Sequence, residues 1–146
     1  MSIWRSPLTV QAANATAAGT LLEPLGIVFT EIGEDFVRGT MPVDARTHQP
    51  YGLLHGGASV ALAETLGSVG AAMCVDASRH RCVGQEINAN HLRPVRSGKV
   101  TGTARPRHVG ARSQVWSIDI VDDSGTLICV SRLTVAVIER PKSDAR

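Results

Sequence analysis

Between Tyr51 and Val75 one residue, Glu64, is the only Asp, Glu, Lys or Arg. Around it run Leu62, Leu66, Val69 and Met73, with Ala and Gly between them. A helix that is apolar on nearly every side must be covered on nearly every side, so this segment predicts a central helix enclosed by the rest of the chain. A membrane span is excluded because His55, Glu64 and several polar residues interrupt the run. Gly67 and Gly70 each weaken a helix by about 1 kcal/mol relative to Ala, which predicts that another backbone approaches closely there.

The remaining pattern predicts what does the enclosing. Leu8 to Ala18 reads as a short Ala-rich helix with Thr9 as its cap. Gly26 to Ile32 and Phe36 to Val43 read as two strands about a turn at Gly33-Glu34-Asp35, and Asp44 to Gly52 reads as a loop. Cys82 to His91, Val100 to Arg107, Ser113 to Val121 and Leu127 to Ile138 carry the β-branched content of strands. Arg96-Ser97-Gly98-Lys99 and Asp122-Asp123-Ser124-Gly125 read as turns between consecutive strands, and short turns imply antiparallel hairpins. The fold class is therefore α+β, with an antiparallel sheet around one long helix. The 146 residues suit a single domain, 1–146, with residues from about 140 onward as a frayed tail.

A formal charge of +2 is too small to argue for nucleic acid. No leader-like apolar stretch follows Met1-Ser2-Ile3-Trp4-Arg5, so a cytoplasmic location is expected. Cys74, Cys82 and Cys129 form no C-x-x-C pair and read as reduced apolar side chains. Asn14-Ala15-Thr16 matches a glycosylation acceptor that a cytoplasmic chain does not use.

Three features of the helix point to chemistry. A carboxylate inside an apolar helix either pairs with an arginine from a neighbouring strand or is kept poorly solvated and reactive. His55-Gly56-Gly57 at the helix start exposes free N–H groups at a positive dipole end, where a thioester carbonyl oxygen can be polarised. The nine residues from His55 to Glu64 amount to a rise of about 13.5 Å and half a turn out of phase. One helix cannot bring both to one thioester, so a homodimer with two shared sites is expected. Ser68 lies four residues after Glu64 on the same face, and Gln49 lies in the preceding loop; either can be a supporting group or simply solvated. Between Glu86 and Asp119 the charged residues are all basic, including Arg93, Arg96, Arg105, Arg107 and Arg112, with His91 and His108. That stretch is either a solvated face or a site for the phosphates of coenzyme A.

The stretch Gln49-Pro50-Tyr51-Gly52-Leu53-Leu54-His55-Gly56-Gly57-Ala58-Ser59, followed by Ala63-Glu64-Thr65-Leu66-Gly67-Ser68, resembles the hotdog-fold thioesterases of the PaaI-like group. The likeness includes Met41-Pro42-Val43-Asp44, Glu86 to His91 and the Arg132-Leu133 region. The resemblance implies a sheet wrapped around the long helix, paired into dimers and usually tetramers. It implies Glu64 as nucleophile or general base and the Gly56 N–H as carbonyl polariser, with Gln49, His55 and Ser68 in support. It places His91, Arg93, Arg112 and Ser113 against the nucleotide part of coenzyme A, and acyl-pocket residues between Val69 and Met73. The expected activity is hydrolysis of an aromatic, hydroxybenzoyl- or dihydroxynaphthoyl-like acyl-CoA, with no metal and no cofactor. The alternatives are proofreading hydrolysis on an aryl carrier protein and non-catalytic binding of acyl-CoA.

Overall fold

The computed structural model describes residues 1–141. Helix α1 spans Val10–Ala15, and Thr9 caps it by accepting a hydrogen bond from the Ala12 N–H at 3.0 Å. It is shorter than the expected Leu8 to Ala18. A second short helix, α2 (Leu22–Leu25), ends at Gly26 in the left-handed region; the sequence pattern does not distinguish it from a loop. Strands β1 (Val28–Ile32) and β2 (Val37–Pro42) form the expected hairpin. The central helix α3 spans Gly56–Met73, and β3 (His80–His91), β4 (Lys99–Val109), β5 (Ser113–Val121) and β6 (Leu127–Glu139) follow. The tail expected from residue 140 falls largely on residues 142–146, outside the described residues.

All strand pairs are antiparallel, in the order β1-β2-β4-β5-β6-β3. This corrects one expectation. Asp122 to Gly125 does join a hairpin, β5 to β6, but Arg96 to Lys99 does not make β3 and β4 a hairpin. The chain leaves β3 at one edge and crosses to β4 beside β2, and Gly98 takes φ 80° in that crossing while its carbonyl accepts from the Val43 N–H at 2.8 Å. A turn signature reports a local reversal and not which strand the chain reaches next.

The sheet wraps α3. Leu62, Ala63, Leu66 and Ala71 are fully buried against Val37, Met41, Val100, Trp116, Ile118, Ile120 and Leu133. Gly67 and Gly70 of α3 face this sheet. A Cβ on Gly67 would lie 2.8 Å from Leu133 Cδ2, and one on Gly70 would lie 2.7 Å from the Trp116 ring. The expected close backbone is therefore replaced by bulky side chains of the same protomer. Trp116 is fixed from two more sides. Its ring stacks on Trp4 at 6.2 Å between centroids, and its Nε1–H donates to Gln114 Oε1 at 2.9 Å. Gln114 in turn donates to the Ala71 carbonyl at 3.2 Å. An added methyl at Gly70 cannot displace so constrained a ring cheaply. Overpacking costs about 1–3 kcal/mol, against about 1 kcal/mol regained in helix propensity. The net cost is about 0–2 kcal/mol, so Gly70→Ala is expected to lower Tm by up to about 6 °C in thermal denaturation; a higher Tm contradicts this packing.

The N-terminal segment is tied to the fold. The Met73 carbonyl at the end of α3 accepts from the Arg5 and Ser6 N–H groups at 2.8 and 2.9 Å. Asn14 clamps the β1 edge: its side-chain amide donates to the Phe29 carbonyl at 2.9 Å and its side-chain oxygen accepts from the Phe29 N–H at 2.8 Å. The Asn14 side chain thus serves as a substitute strand. Burial raises the thiol pKa of all three cysteines, Cys74 to about 11, so they are protonated apolar groups as the sequence suggests.

Candidate active site

The start of α3 leaves one backbone donor open. Of the N–H groups in its first turn, that of His55 donates to the Thr47 carbonyl at 2.8 Å and that of Gly57 donates to His55 Nδ1 at 2.8 Å. The Ala58 N–H donates to the His55 carbonyl at 3.0 Å. The Gly56 N–H has no partner among the described residues. A helix terminus normally finds partners for these groups, so a single free donor at the positive end of the dipole is a ready site for an oxygen. His55 thereby acts locally, since its ring caps the helix and the lone pair on Nδ1 is engaged.

Gly56 opens into a cleft lined by Gln49, Leu53, Leu54, Ser59, His91 and Arg93. The loop that carries Gln49 is held by its own backbone, with Gln49 N–H on the Leu53 carbonyl at 2.8 Å and Gly52 N–H on the Gln49 carbonyl at 2.9 Å. The Gln49 side-chain oxygen accepts from the Tyr51 N–H. His91, the last residue of β3, lies directly against Gly56: a Cβ on that glycine would be 2.6 Å from His91 Nε2. Arg93 is anchored by donation to the Leu127 carbonyl at 2.9 Å.

Glu64 opens into a different cleft, of about 480 Å³, formed with Ala61, Thr65, Ser68 and Val69 of α3, with Thr16, Thr20 and Leu21 of the α1–α2 connection and with Leu22 of α2. Among the described residues no arginine or lysine pairs with its carboxylate, which removes the ion-pair reading that the sequence left open. Ser68 shares the cleft but makes no hydrogen bond to Glu64 among the described residues. The bond to the preceding turn of helix is made instead by Thr65, on the Ala61 carbonyl at 2.7 Å. Within the implied acyl-pocket stretch Val69 lines this cleft and Ala72 is exposed, whereas Gly70, Ala71 and Met73 are buried in the core.

The expected coenzyme A residues divide. His91 and Arg93 join Gly56 and Gln49 at the start of α3. Arg112 and Ser113 belong to the β4–β5 hairpin near the other end of α3, where the Arg112 carbonyl accepts from the Val137 N–H at 2.9 Å. The basic stretch is not one face: Arg105 pairs with Asp35 at 2.8 Å, and Arg107 donates to Ser117 at 2.9 Å. Two contributors were not read from the sequence. The α1–α2 connection carries no motif, and Gly84 of β3 sits under Glu64, with a Cβ there lying 2.5 Å from Glu64 Oε1.

A six-stranded antiparallel sheet wrapped around one long helix is the hotdog fold, the architecture of a large class of thioester hydrolases. Residues 51–129 match the family described as Thioesterase superfamily, and the chain belongs to it. It is 51% identical over 136 residues to the 1,4-dihydroxy-2-naphthoyl-CoA hydrolase of Escherichia coli, covering 93% of this chain and 99% of that one. It is 52% identical over 136 residues to the proofreading thioesterase EntH of Cronobacter sakazakii, covering 93% and 98%. A crystal structure of a thioesterase from Pseudomonas aeruginosa superposes with a TM-score of 0.93 at 47% identity, covering 95% of this chain and all of that one. The protein is a thioester hydrolase.

Proposed function

We propose that the protein hydrolyses an aromatic acyl-CoA to the free acid and coenzyme A, at sites shared between two protomers. The observation that carries this is the division of the reactive groups: the Gly56 N–H and the Glu64 carboxylate, neither with a partner among the described residues, open into separate clefts of one chain. Two chains with their α3 helices antiparallel about a twofold axis bring each Gly56 end to the other's Glu64. In that arrangement the Gly56 N–H holds the thioester carbonyl oxygen and stabilises the negative charge that develops on it. Gln49 supports the same end, and Ser68 flanks Glu64. His91 and Arg93 meet the nucleotide from one protomer, and Arg112 and Ser113 meet it from the other. In this reading the aromatic acyl group lies against the apolar wall made by Leu21, Leu22 and Val69. The cytoplasmic location expected from the sequence belongs to this reading.

Glu64 acts in one of two ways. Its carboxylate attacks the carbonyl carbon, expels the coenzyme A thiolate and forms a mixed anhydride that water cleaves, or it takes a proton from the water that attacks. Label recovered in the Glu64 carboxylate after turnover in labelled water establishes attack. Rapid-quench mass spectrometry that finds neither label nor acyl adduct establishes water activation.

Shared sites make a quantitative prediction. A Gly56 variant and a Glu64 variant, each inactive, are mixed in equal amounts and allowed to reassort. Half of the dimers are mixed, and each mixed dimer has one site free of both changes, so about a quarter of wild-type activity returns. No recovery means that each chain carries its own site. Thiol release from matched acyl-CoA and aryl-carrier thioesters then decides between the coenzyme A substrate and the carrier-bound one, since relatives of both descriptions are about equally similar.

A further inference from the structure

Strand β3 runs along α3 in the opposite direction, and three contacts set the alignment. The Cys82 thiol donates to the Ala71 carbonyl at 3.4 Å, Gly84 lies under Glu64, and His91 lies against Gly56. Side chains on a regular strand alternate between faces. Gly84 and His91 are seven positions apart, an odd number, so a regular strand would turn one of them away from the helix. The pairing with β6 slips between Gly84 and Glu86, which leaves Gln85 as an extra residue. This bulge resets the alternation: Cys82 and Gly84 face α3 before it, and Ile87, Ala89 and His91 face α3 after it. Ile87 and Ala89 accordingly pack against the core.

We propose that Gly84 is a positioning residue for Glu64, its bare Cα forming the seat of one carboxylate oxygen, with the Gln85 bulge holding that seat in register with the Gly56 end of the helix. A Cβ at Gly84 would lie 2.5 Å from Glu64 Oε1 and 3.6 Å from its Cδ, so the oxygen occupies the place of the missing side chain. With one oxygen against the strand, rotation of the carboxylate is limited and the reacting oxygen is held at one position. The inference rests on the reading of Glu64 as the reacting carboxylate.

An alanine at 84 meets the end of a flexible side chain and not backbone. The fold can therefore accept it while the carboxylate moves. Gly84→Ala in the full-length protein is expected to lower kcat about 10- to 100-fold, as small misplacements of a reacting group do. KM should stay within about twofold and Tm should not fall, because the residue is exposed and the one tight contact of the added Cβ is with the movable end of the Glu64 side chain. Glu64→Gln is measured beside it. If Glu64→Gln is inactive and Gly84→Ala turns over normally, the seat is overturned and the role of Glu64 stands. If kcat, KM and Tm of Gly84→Ala all fall or shift together, Gly84 is an ordinary structural glycine and the proposal is overturned. If Glu64→Gln itself turns over normally, the reading of the site falls and this inference falls with it.

Discussion

Glu64→Gln is expected to lower kcat by at least about 10²-fold, the lower end for a positioned acid or base, while the protein folds as the wild type does. The two halves of this expectation come from the same environment. No cation pairs with the carboxylate among the described residues, so removing its charge breaks no ion pair among them. Its neighbours in the cleft are Ala61, Val69 and the Leu21–Leu22 wall, together with Thr16, Thr20, Thr65 and Ser68, whose hydroxyls can donate to the glutamine oxygen as they can to a carboxylate. Replacement by the neutral isostere should leave Tm equal or slightly higher, the usual sign of a group kept for activity at some cost to stability. The check is steady-state thiol release together with thermal denaturation of the same preparation. Near-normal turnover removes Glu64 from the mechanism. A loss of turnover accompanied by a large fall in Tm would make it a structural carboxylate instead.

The reach of the sequence can be judged from particular residues. A lone carboxylate in an apolar run is visible without a structure, because both its composition and its helical period are local. So are the strand stretches, and Ser113 to Val121 coincides with β5 in full. What the sequence does not carry is the order of strands: β3 pairs with β6, reached after two intervening strands, and no turn signature encodes that. The same blindness explains Gly67 and Gly70. Their presence announces a close neighbour, but whether it is a partner helix or Leu133 and Trp116 of the same chain depends on the tertiary wrap. The Gln85 bulge is the subtlest case. Its effect is a change of parity, and the sequence Cys82 to His91 reads as one uninterrupted strand with or without it.

The second large effect concerns a single hydrogen, and the helix start allows it to be removed cleanly. Gly56 is the first residue of α3, the position where proline is best tolerated because its N–H has no partner within the helix. The residue before a proline must be extended, and His55 already is, at φ −67° and ψ 130°. The remaining first-turn donors and the His55 cap do not involve the Gly56 N–H. Gly56→Pro therefore deletes the proposed carbonyl donor while keeping the helix, and kcat is expected to fall about 10²- to 10³-fold, the range for loss of one oxyanion donor. Any ring or methyl at this position also presses on His91, whose Nε2 lies 2.6 Å from where a Cβ would stand. Gly56→Ala isolates that crowding, since it adds the Cβ and keeps the N–H. If the donor is what matters, the alanine variant retains most of the turnover that the proline variant loses. Equal losses in the two variants would transfer the effect from the hydrogen bond to the space beside His91, and the carbonyl would then have to be polarised by another group.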